Sequence, residues 1–550
     1  MTSRSTSDSG DDWTWLKVAV AGAGVVWGWH AALVAATPGH ALGDLRLTFD
    51  AIFAGKPLAP TSASEDCNVP VLVGVLALEV AVVVFLAVAI ARWRKPVVRQ
   101  GFGSAVAVSK VYSALDPHRQ LIGYERRNPI YIRSEDTGLL IAPPRSGKTT
   151  SRVIAGVLDA PGACVTTSTK VEVLRLTHEL RATRGRIHVF DPEELSRWPR
   201  KTTWNIVGGC EDPVEATERA RAMVKAVPNG EGGNVQFFEQ AAATILASYL
   251  HAAALGGHDI RRVLRWAKNT RDQEPYRILE DSSAAAPGWR DELEQMTRGE
   301  AGPTIQSTMM TLSNVLSALR TGPAVDSVSA SRDEFNVEAF LDSTDTLYLM
   351  SQGGEGSAGP LTTALVATIE RRARIRSQRT ATGRFDVPLT LMLDEAPNIA
   401  AIPSLPSLMT DSGGRGVIVW AISQSLAQLR SRWGDNDAQT MVNGAAALLV
   451  LGGIKEVDLL DQLARLAGER RVQRRTHSTN RDGSGSTSVS EEWEQVLRID
   501  EIRALKQGTA LMLYLSQPPV EVSMKPWWER PDAKLIRASE ESARALEGFR

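Results

Sequence analysis

The chain is poor in cysteine and carries no surplus of charge, and each shortage removes a class of function. Three cysteines (Cys67, Cys164 and Cys210) among 550 residues cannot staple a disulfide scaffold, and none stands in a CxxC or Cys/His spacing suited to zinc. With 62 basic against 63 acidic side chains the formal charge is −1. The chain therefore lacks the bulk basic footprint of a small nucleic-acid-binding module, and any polyanion must be met by a local patch. There is no internal repeat. The 44 glycines and 27 prolines are ordinary for this length, which excludes a collagen-like or wholly disordered chain. What remains is a globular protein long enough for three or four structural units.

Apolar residues are unevenly spread. Residues 16–36, LKVAVAGAGVVWGWHAALVAA, and residues 69–91, VPVLVGVLALEVAVVVFLAVAIA, are each long enough to cross a bilayer, which takes about 20 residues. The first is no secretory signal, because Asp8, Asp11 and Asp12 precede it where Lys or Arg is expected. Between 92 and 136 stand nine Lys/Arg and four Asp/Glu, whereas the 37–68 loop holds Arg46 and Lys56 against four acids. The positive-inside rule places residue 92 onward in the cytoplasm. Glu79, in the middle of the second run, reads either as an interhelical or intersubunit contact or as a protonated group tolerated in a long span. Cys67 falls in the outer loop as a free thiol.

From 137 the pattern becomes short apolar runs alternating with helical stretches. TGLLIAPP, ACVTTST, RIHVFDP, TLYLMS, PLTLMLDEA, GVIVWAIS, AALLVLGG and GTALMLYLS read as buried strands, and the alternation predicts a mostly parallel sheet with helices on both faces. Between 206 and 341 the strand signal vanishes. Asp212-Pro213 with Glu215 opens one helix there, and NVQFFEQAAATILASYLHAAAL and TIQSTMMTLSNVLSAL are two more. The 468–490 stretch is either flexible or a long hairpin. The C-terminal EESARALEGF is a short helix.

Three motifs carry chemistry. GLLIAPPRSGKTT, residues 138–150, places Ala142, Pro143, Pro144, Arg145, Ser146, Gly147, Lys148, Thr149 and Thr150 between a strand and a helix. That is the context of a phosphate loop, with Lys148 for the β/γ-phosphates and the Thr149 hydroxyl for magnesium. Ala142 stands where the GxxxxGK[ST] pattern begins with glycine. VPLTLMLDEAPNIA ends an apolar strand in Asp394, a magnesium-shell carboxylate, and Glu395, which polarises water. GGRGVIVWAISQS ends in Gln424, placed to report a γ-phosphate, and is preceded by Arg415 on a glycine-rich turn, placed to act in a neighbouring subunit's site.

These motifs, with CVTTSTKVEVL, TTWNIVGG, the run LDEAPNIAAIPSLPSLMTDSGGRGVIVWAISQSLAQL and the closing GTALMLYLSQPPVE, resemble the TraG/TraD-like coupling ATPases of type IV secretion and conjugation. The resemblance implies an α/β fold: a RecA/FtsK-like P-loop NTPase domain (137–205 and 342–530) carrying an inserted all-α substrate-recognition domain (206–341). A cytoplasmic tail (1–15), a transmembrane hairpin (16–91) and a basic juxtamembrane linker (92–136) precede it, and a C-terminal tail (531–550) follows. It further implies ATP and Mg2+ as cofactors, a homohexamer at the inner membrane, a relaxase–DNA complex as cargo and a type IV secretion channel as partner. Lys148 and Thr149 would be the Walker A pair, Asp394 and Glu395 the Walker B pair, Gln424 the motif III glutamine, and Arg415 the nearest match to the intersubunit arginine. Ser168-Thr169-Lys170 departs from the family's aspartate before lysine and leaves the role of Lys170 open. For DNA the candidates are Arg470, Arg471, Arg474, Arg475 and Arg481, or else that loop is merely a solvated charged segment. No aromatic residue is interleaved among them, which argues against a tight single-strand platform. Two alternatives are protein export without DNA, and a scaffold whose hydrolysis is dispensable.

Overall fold

Apolar runs too short for helices and free of polar alternation fold into a sheet covered on both faces. The computed structural model describes residues 101–549 except 113–114, 228–234, 300–301 and 480–484. The candidate spans 16–36 and 69–91, with Glu79 and Cys67, lie outside the described residues. Among the described residues no helix is long and apolar enough to cross a membrane.

Thirteen strands are present among the described residues: β1 (Gln120–Glu125), β2 (Asn128–Ile132), β3 (Gly138–Ile141), β4 (Cys164–Ser168), β5 (Ile187–Phe190), β6 (Thr346–Met350), β7 (Leu389–Leu393), β8 (Val417–Ser423), β9 (Ala447–Leu451), β10 (Glu469–Thr479), β11 (Gly485–Gln495), β12 (Thr509–Tyr514) and β13 (Val520–Ser523). Eleven of them form one sheet in the order β2-β1-β13-β12-β9-β3-β8-β7-β4-β6-β5. From β9 to β5 every neighbouring pair is parallel. The other end is antiparallel, so the sheet is mixed. Period-two alternation divides each central strand between two cores. Val417, Val419 and Ala421 of β8 join one apolar cluster, and Ile418, Trp420 and Ile422 join the other.

The region from 206 to 341 is helical. Asp212 caps Pro213–Lys225 by accepting from the Val214 N–H, and Val235–Leu255 and Gly302–Leu316 form the other two expected helices. Three more, Ile260–Lys268, Glu274–Asp281 and Trp289–Arg298, are short and amphipathic. The ends of this region are stitched together: Phe335 N–H donates to Thr203 O at 2.7 Å and Trp204 N–H to Ser327 O at 2.8 Å. Its Met223, Leu246 and Trp266 share one continuous apolar cluster with the first face of the sheet.

One segment behaves differently from its sequence reading, and a second is longer than expected. The stretch 92–136, taken as a linker, forms a helix (Ala105–Tyr112) packed on β2, followed by β1 and β2, which extend the sheet edge. The 531–550 tail holds a helix, Ala533–Leu546, packed along Glu172–Ala182. Its Ser539 hydroxyl donates to Arg175 O at 2.8 Å. The edge hairpin was missed because it carries few core residues, and periodicity is the signal being read; the C-terminal helix, expected over EESARALEGF, begins earlier, at Ala533.

Gly138 starts β3 directly beneath Trp420, and a Cβ there would lie 2.4 Å from the indole ring. Gly138→Ala is therefore expected to lower stability by about 1–3 kcal/mol through overpacking. The urea midpoint of the variant against the parent measures it.

Candidate functional site

The parallel strands bring chemistry together because their carboxyl ends share one edge. Ile141 of β3 pairs with Ser423 of β8, and Leu393 of β7 pairs with Ala421. The loops after these three strands therefore open side by side, and β8 separates the strand before the phosphate loop from the strand before Asp394.

The loop leaves β3 at Ala142, whose N–H donates to Ser423 O at 2.9 Å. Arg145 and Gly147 both adopt left-handed backbone, with φ of 63° and 89°, a conformation that costs a non-glycine residue roughly 1–2 kcal/mol. The chain then enters a π-helical turn, Thr149–Val153, that continues as the helix Ile154–Asp159. The Ser146 Oγ is buried with no hydrogen-bond partner, and the Thr150 hydroxyl turns back to Gly147 O at 3.0 Å. Gln507 donates to Arg145 O at 3.3 Å from the β12 side.

Lys148 is buried, and its ammonium bonds Asp394 Oδ1 at 2.9 Å and Glu395 Oε1 at 3.2 Å. The Thr149 hydroxyl reaches Asp394 Oδ2 at 3.2 Å, and Gln424 Nε2 donates to Glu395 Oε1 at 3.2 Å. Lys148, Thr149, Asp394, Glu395 and Gln424 thus form one cluster. Glu395 sits at φ 53°, a strained conformation for a carboxylate-bearing residue and of the kind found at functional sites. Burial pushes the Asp394 carboxyl above its ordinary range, and the Lys148 charge opposes that rise. Thr167 of the neighbouring β4 fixes the same turn by donating to Asp394 O at 2.7 Å.

Arg415 is not part of this cluster. It closes a 3-10 turn, Gly413–Arg415, at the start of β8, and pairs with Asp411 at 2.5 Å. Seven residues of extended chain, on the order of 23 Å, separate it from the end of β8 that carries Gln424. Its geometry excludes a role at its own chain's phosphate loop.

Lys170 follows β4 as an exposed side chain, and its turn is held by Ser168: Lys170 N–H donates to Ser168 Oγ at 3.1 Å, and that hydroxyl donates to Lys170 O at 2.8 Å.

The stretch from 468 onward is the long hairpin, β10 paired antiparallel with β11. Carboxylates of the opposite strand face three of its arginines: Arg470 meets Glu494 at 3.4 Å, Arg471 meets Glu491 at 3.7 Å, and Arg474 meets Glu492 at 3.1 Å. Arg475 stands opposite Val489, and Arg481 lies outside the described residues. An aromatic ring is present after all. Trp493 lies opposite Arg471, whose guanidinium is 5.0 Å from the ring centre, because cross-strand pairing joins residues that are far apart in sequence.

Sequence reasoning missed the residues that hold the cluster in place. Gln428 accepts from Gln424 N–H at 3.1 Å, and Glu456 accepts from Leu426 and Ala427 N–H at 2.9 Å each. Arg152, one turn into the loop's helix, lies 3.7 Å from the Trp420 ring and donates to Leu121 O at 3.0 Å. Burial pushes its guanidinium down to about 9. Only Gln428, four residues after Gln424, had a local signal. The others depend on strand order.

Fold and site define the class: a P-loop NTPase with a mixed sheet and a helical insertion. A family model described as the TraM recognition site of TraD and TraG matches residues 388–507. The conjugal transfer protein TraG of Agrobacterium fabrum (strain C58 / ATCC 33970) is 20% identical over 419 residues, covering 72% of this chain and 61% of that one. TraG of Rhizobium radiobacter is 19% identical over 417 residues, covering 72% and 62%. The chain thus spans about 61% of the length of the first of these relatives. Among solved structures, unbound TrwBdeltaN70, a bacterial conjugative coupling protein, superposes with a TM-score of 0.57 at 18% identity, over 77% of this chain and 92% of that one. TrwB in complex with ADP and Mg2+ gives 0.55 at 18% identity, over 77% and 93%. Residues 388–507 thus match a domain of the TraG/TraD-type coupling proteins, and the chain is similar to such proteins over most of its length.

Removing Lys148 leaves two carboxylates sharing a buried turn without their cation. In Lys148→Met the Asp394 carboxyl should rise further above its unfolded value. A carboxyl raised in the fold adds stability below its unfolded pKa and loses it as pH climbs through its folded pKa. Stability of the variant should therefore fall more steeply than the parent's as pH rises from 4 to 8, read from urea midpoints across that range.

Proposed function

We propose that the chain is a membrane-anchored ATPase that couples a relaxase–DNA complex to a type IV secretion channel in conjugative transfer. The observation that carries this reading is the cluster of Lys148, Thr149, Asp394, Glu395 and Gln424 at the ends of three adjacent strands, in a chain of this family. ATP with Mg2+ fits the residues present. The unpartnered buried Ser146 hydroxyl and the strained loop backbone suit a phosphate, and the Thr149 hydroxyl and Asp394 carboxylate stand together as hard oxygen ligands. TrwB, the neighbour in fold, has been solved with the ATP analogue ADPNP and with ADP and Mg2+.

In this reading Lys148 leaves its carboxylates to hold the β- and γ-phosphates, while Thr149 and Asp394 hold the metal, partly through water. A magnesium ion held by these residues would supply positive charge to offset the charge that builds on the phosphates. Glu395 then accepts the proton of the attacking water, and Gln424 contacts the γ-phosphate. Arg415, at the opposite end of β8, serves the site of a neighbouring subunit in a homohexameric ring. The spans 16–36 and 69–91 anchor the ring at the inner membrane, residues 206–341 recognise cargo, and residues 388–507 include the surface that meets a TraM-like relaxosome partner.

Cargo has a second reading, protein without DNA. Three hairpin arginines already face carboxylates, so the hairpin is a weaker grip for a phosphate backbone than its arginine count suggests.

The test is ATP turnover by the full chain in detergent. Glu395→Gln should keep nucleotide binding and lose about 10²–10⁴ in turnover, and Lys148→Ala should abolish turnover and conjugal transfer. Parent-level turnover in Lys148→Ala sinks the mechanism. Stimulation by single- or double-stranded DNA that falls with salt supports the DNA cargo, and stimulation by a candidate protein alone favours export.

A further inference from the structure

The helix Leu426–Trp433 begins two residues after Gln424 and is capped by Ser425, so it is fastened to the proposed nucleotide site at its first turn. Gln424 spends its side-chain amide on Glu395, and its backbone N–H is held by Gln428 inside that helix. The far end of the helix carries Arg432, which donates in two directions. Its Nε reaches Pro397 O at 2.8 Å, two residues beyond Glu395. One terminal nitrogen reaches Ala226 O at 3.1 Å and Lys225 O at 3.3 Å. These are the terminal carbonyls of the helix Pro213–Lys225, groups that a helix cannot satisfy internally and that favour a cation. Among the described residues no carboxylate pairs with Arg432, and burial pulls its guanidinium down from its ordinary value, with the Glu239 charge opposing. Such a group is held by geometry and not by a charge partner.

We infer that Arg432 is a positioning residue that ties occupancy of the nucleotide site to the helical region 206–341. The inference rests on the nucleotide-binding reading above. A γ-phosphate that claims Gln424 takes it from Glu395. Because Gln424 is pinned to the helix by Gln428, the helix moves with it as a rod of eight residues, about 12 Å long. Arg432 passes that displacement to Lys225 and Ala226 and back to the Pro397 turn behind Glu395. Coupling of this kind requires a continuous chain of contacts with two arrangements, and each link is a direct hydrogen bond. Trp433 stiffens the same end by donating to Ile402 O at 3.0 Å.

Hydrogen exchange of the full chain, with and without ADPNP and Mg2+, tests it. In the parent the analogue should slow exchange over 142–150 and, by about tenfold, a usual size for coupling between sites, over 218–227. Arg432→Gln should keep the slowing at 142–150 and lose it at 218–227. Arg430→Gln, which removes a cation of the same helix that pairs with Asp435, should keep both. Slowing at 218–227 that survives Arg432→Gln, that vanishes equally in Arg430→Gln, or that never appears in a parent protected at 142–150 overturns the coupling. A parent unprotected at 142–150 overturns the nucleotide reading and the coupling with it. Unchanged exchange across β7 and β8 in the variants shows that they fold.

Discussion

One ammonium group organises the phosphate-loop edge of this protein. Lys148 comes from the loop after β3, its two carboxylate partners come from the end of β7, and β8 runs between the two strands. The ion cluster therefore closes over the end of β8 and holds Gln424 against Glu395. Removing charges from water is costly, and a buried pair is stable only when geometry and further hydrogen bonds compensate. Here Thr149, Thr167 and Gln424 supply those bonds. In the proposed reading a phosphate arriving at the loop would compete for the same ammonium, so that ligand binding and rearrangement of the Asp394–Glu395 turn would be one event.

The surrounding packing would keep such a rearrangement local to the edge. Both faces of β3, β7 and β8 are packed, one against the helical region and the other against Trp420 and its neighbours. Interiors this dense resist gradual deformation. Movement is left to the short elements at the carboxyl ends: the phosphate loop, the four-residue helix after Glu395 and the helix after Gln424. Two arginines connect those elements outward, the buried Arg152 to the β1 edge through Leu121 O and the half-buried Arg432 to the helical region.

How much of this the sequence revealed follows from the range over which each signal acts. The central strands were legible because an apolar run ending in a polar pair needs no partner to be recognised, as in LMLDE and VWAISQ. Five cluster residues were legible for the same reason: Lys148, Thr149, Asp394, Glu395 and Gln424 each end or follow such a run. The strand order was not, since nothing local in VIVWAIS says that it lies between β3 and β7. The β1–β2 hairpin was hidden in a segment whose basic flank suggested a linker. The hairpin's arginines misled in a more instructive way. Their count suggested a cationic patch, but antiparallel pairing set Glu491, Glu492 and Glu494 against them, and a charge pattern along one strand says little until its partner strand is known.

The position of Arg415 carries the strongest argument for assembly. Strand direction fixes it at the amino end of β8, on the opposite edge of the sheet from Lys148, and its guanidinium is held by Asp411. A lone subunit can never bring it to its own phosphate loop without unravelling a fully buried strand. An arginine that serves phosphate chemistry from this place must do so on another copy of the chain. If Arg415 serves phosphate chemistry as proposed, the direction of a single strand makes a second subunit necessary.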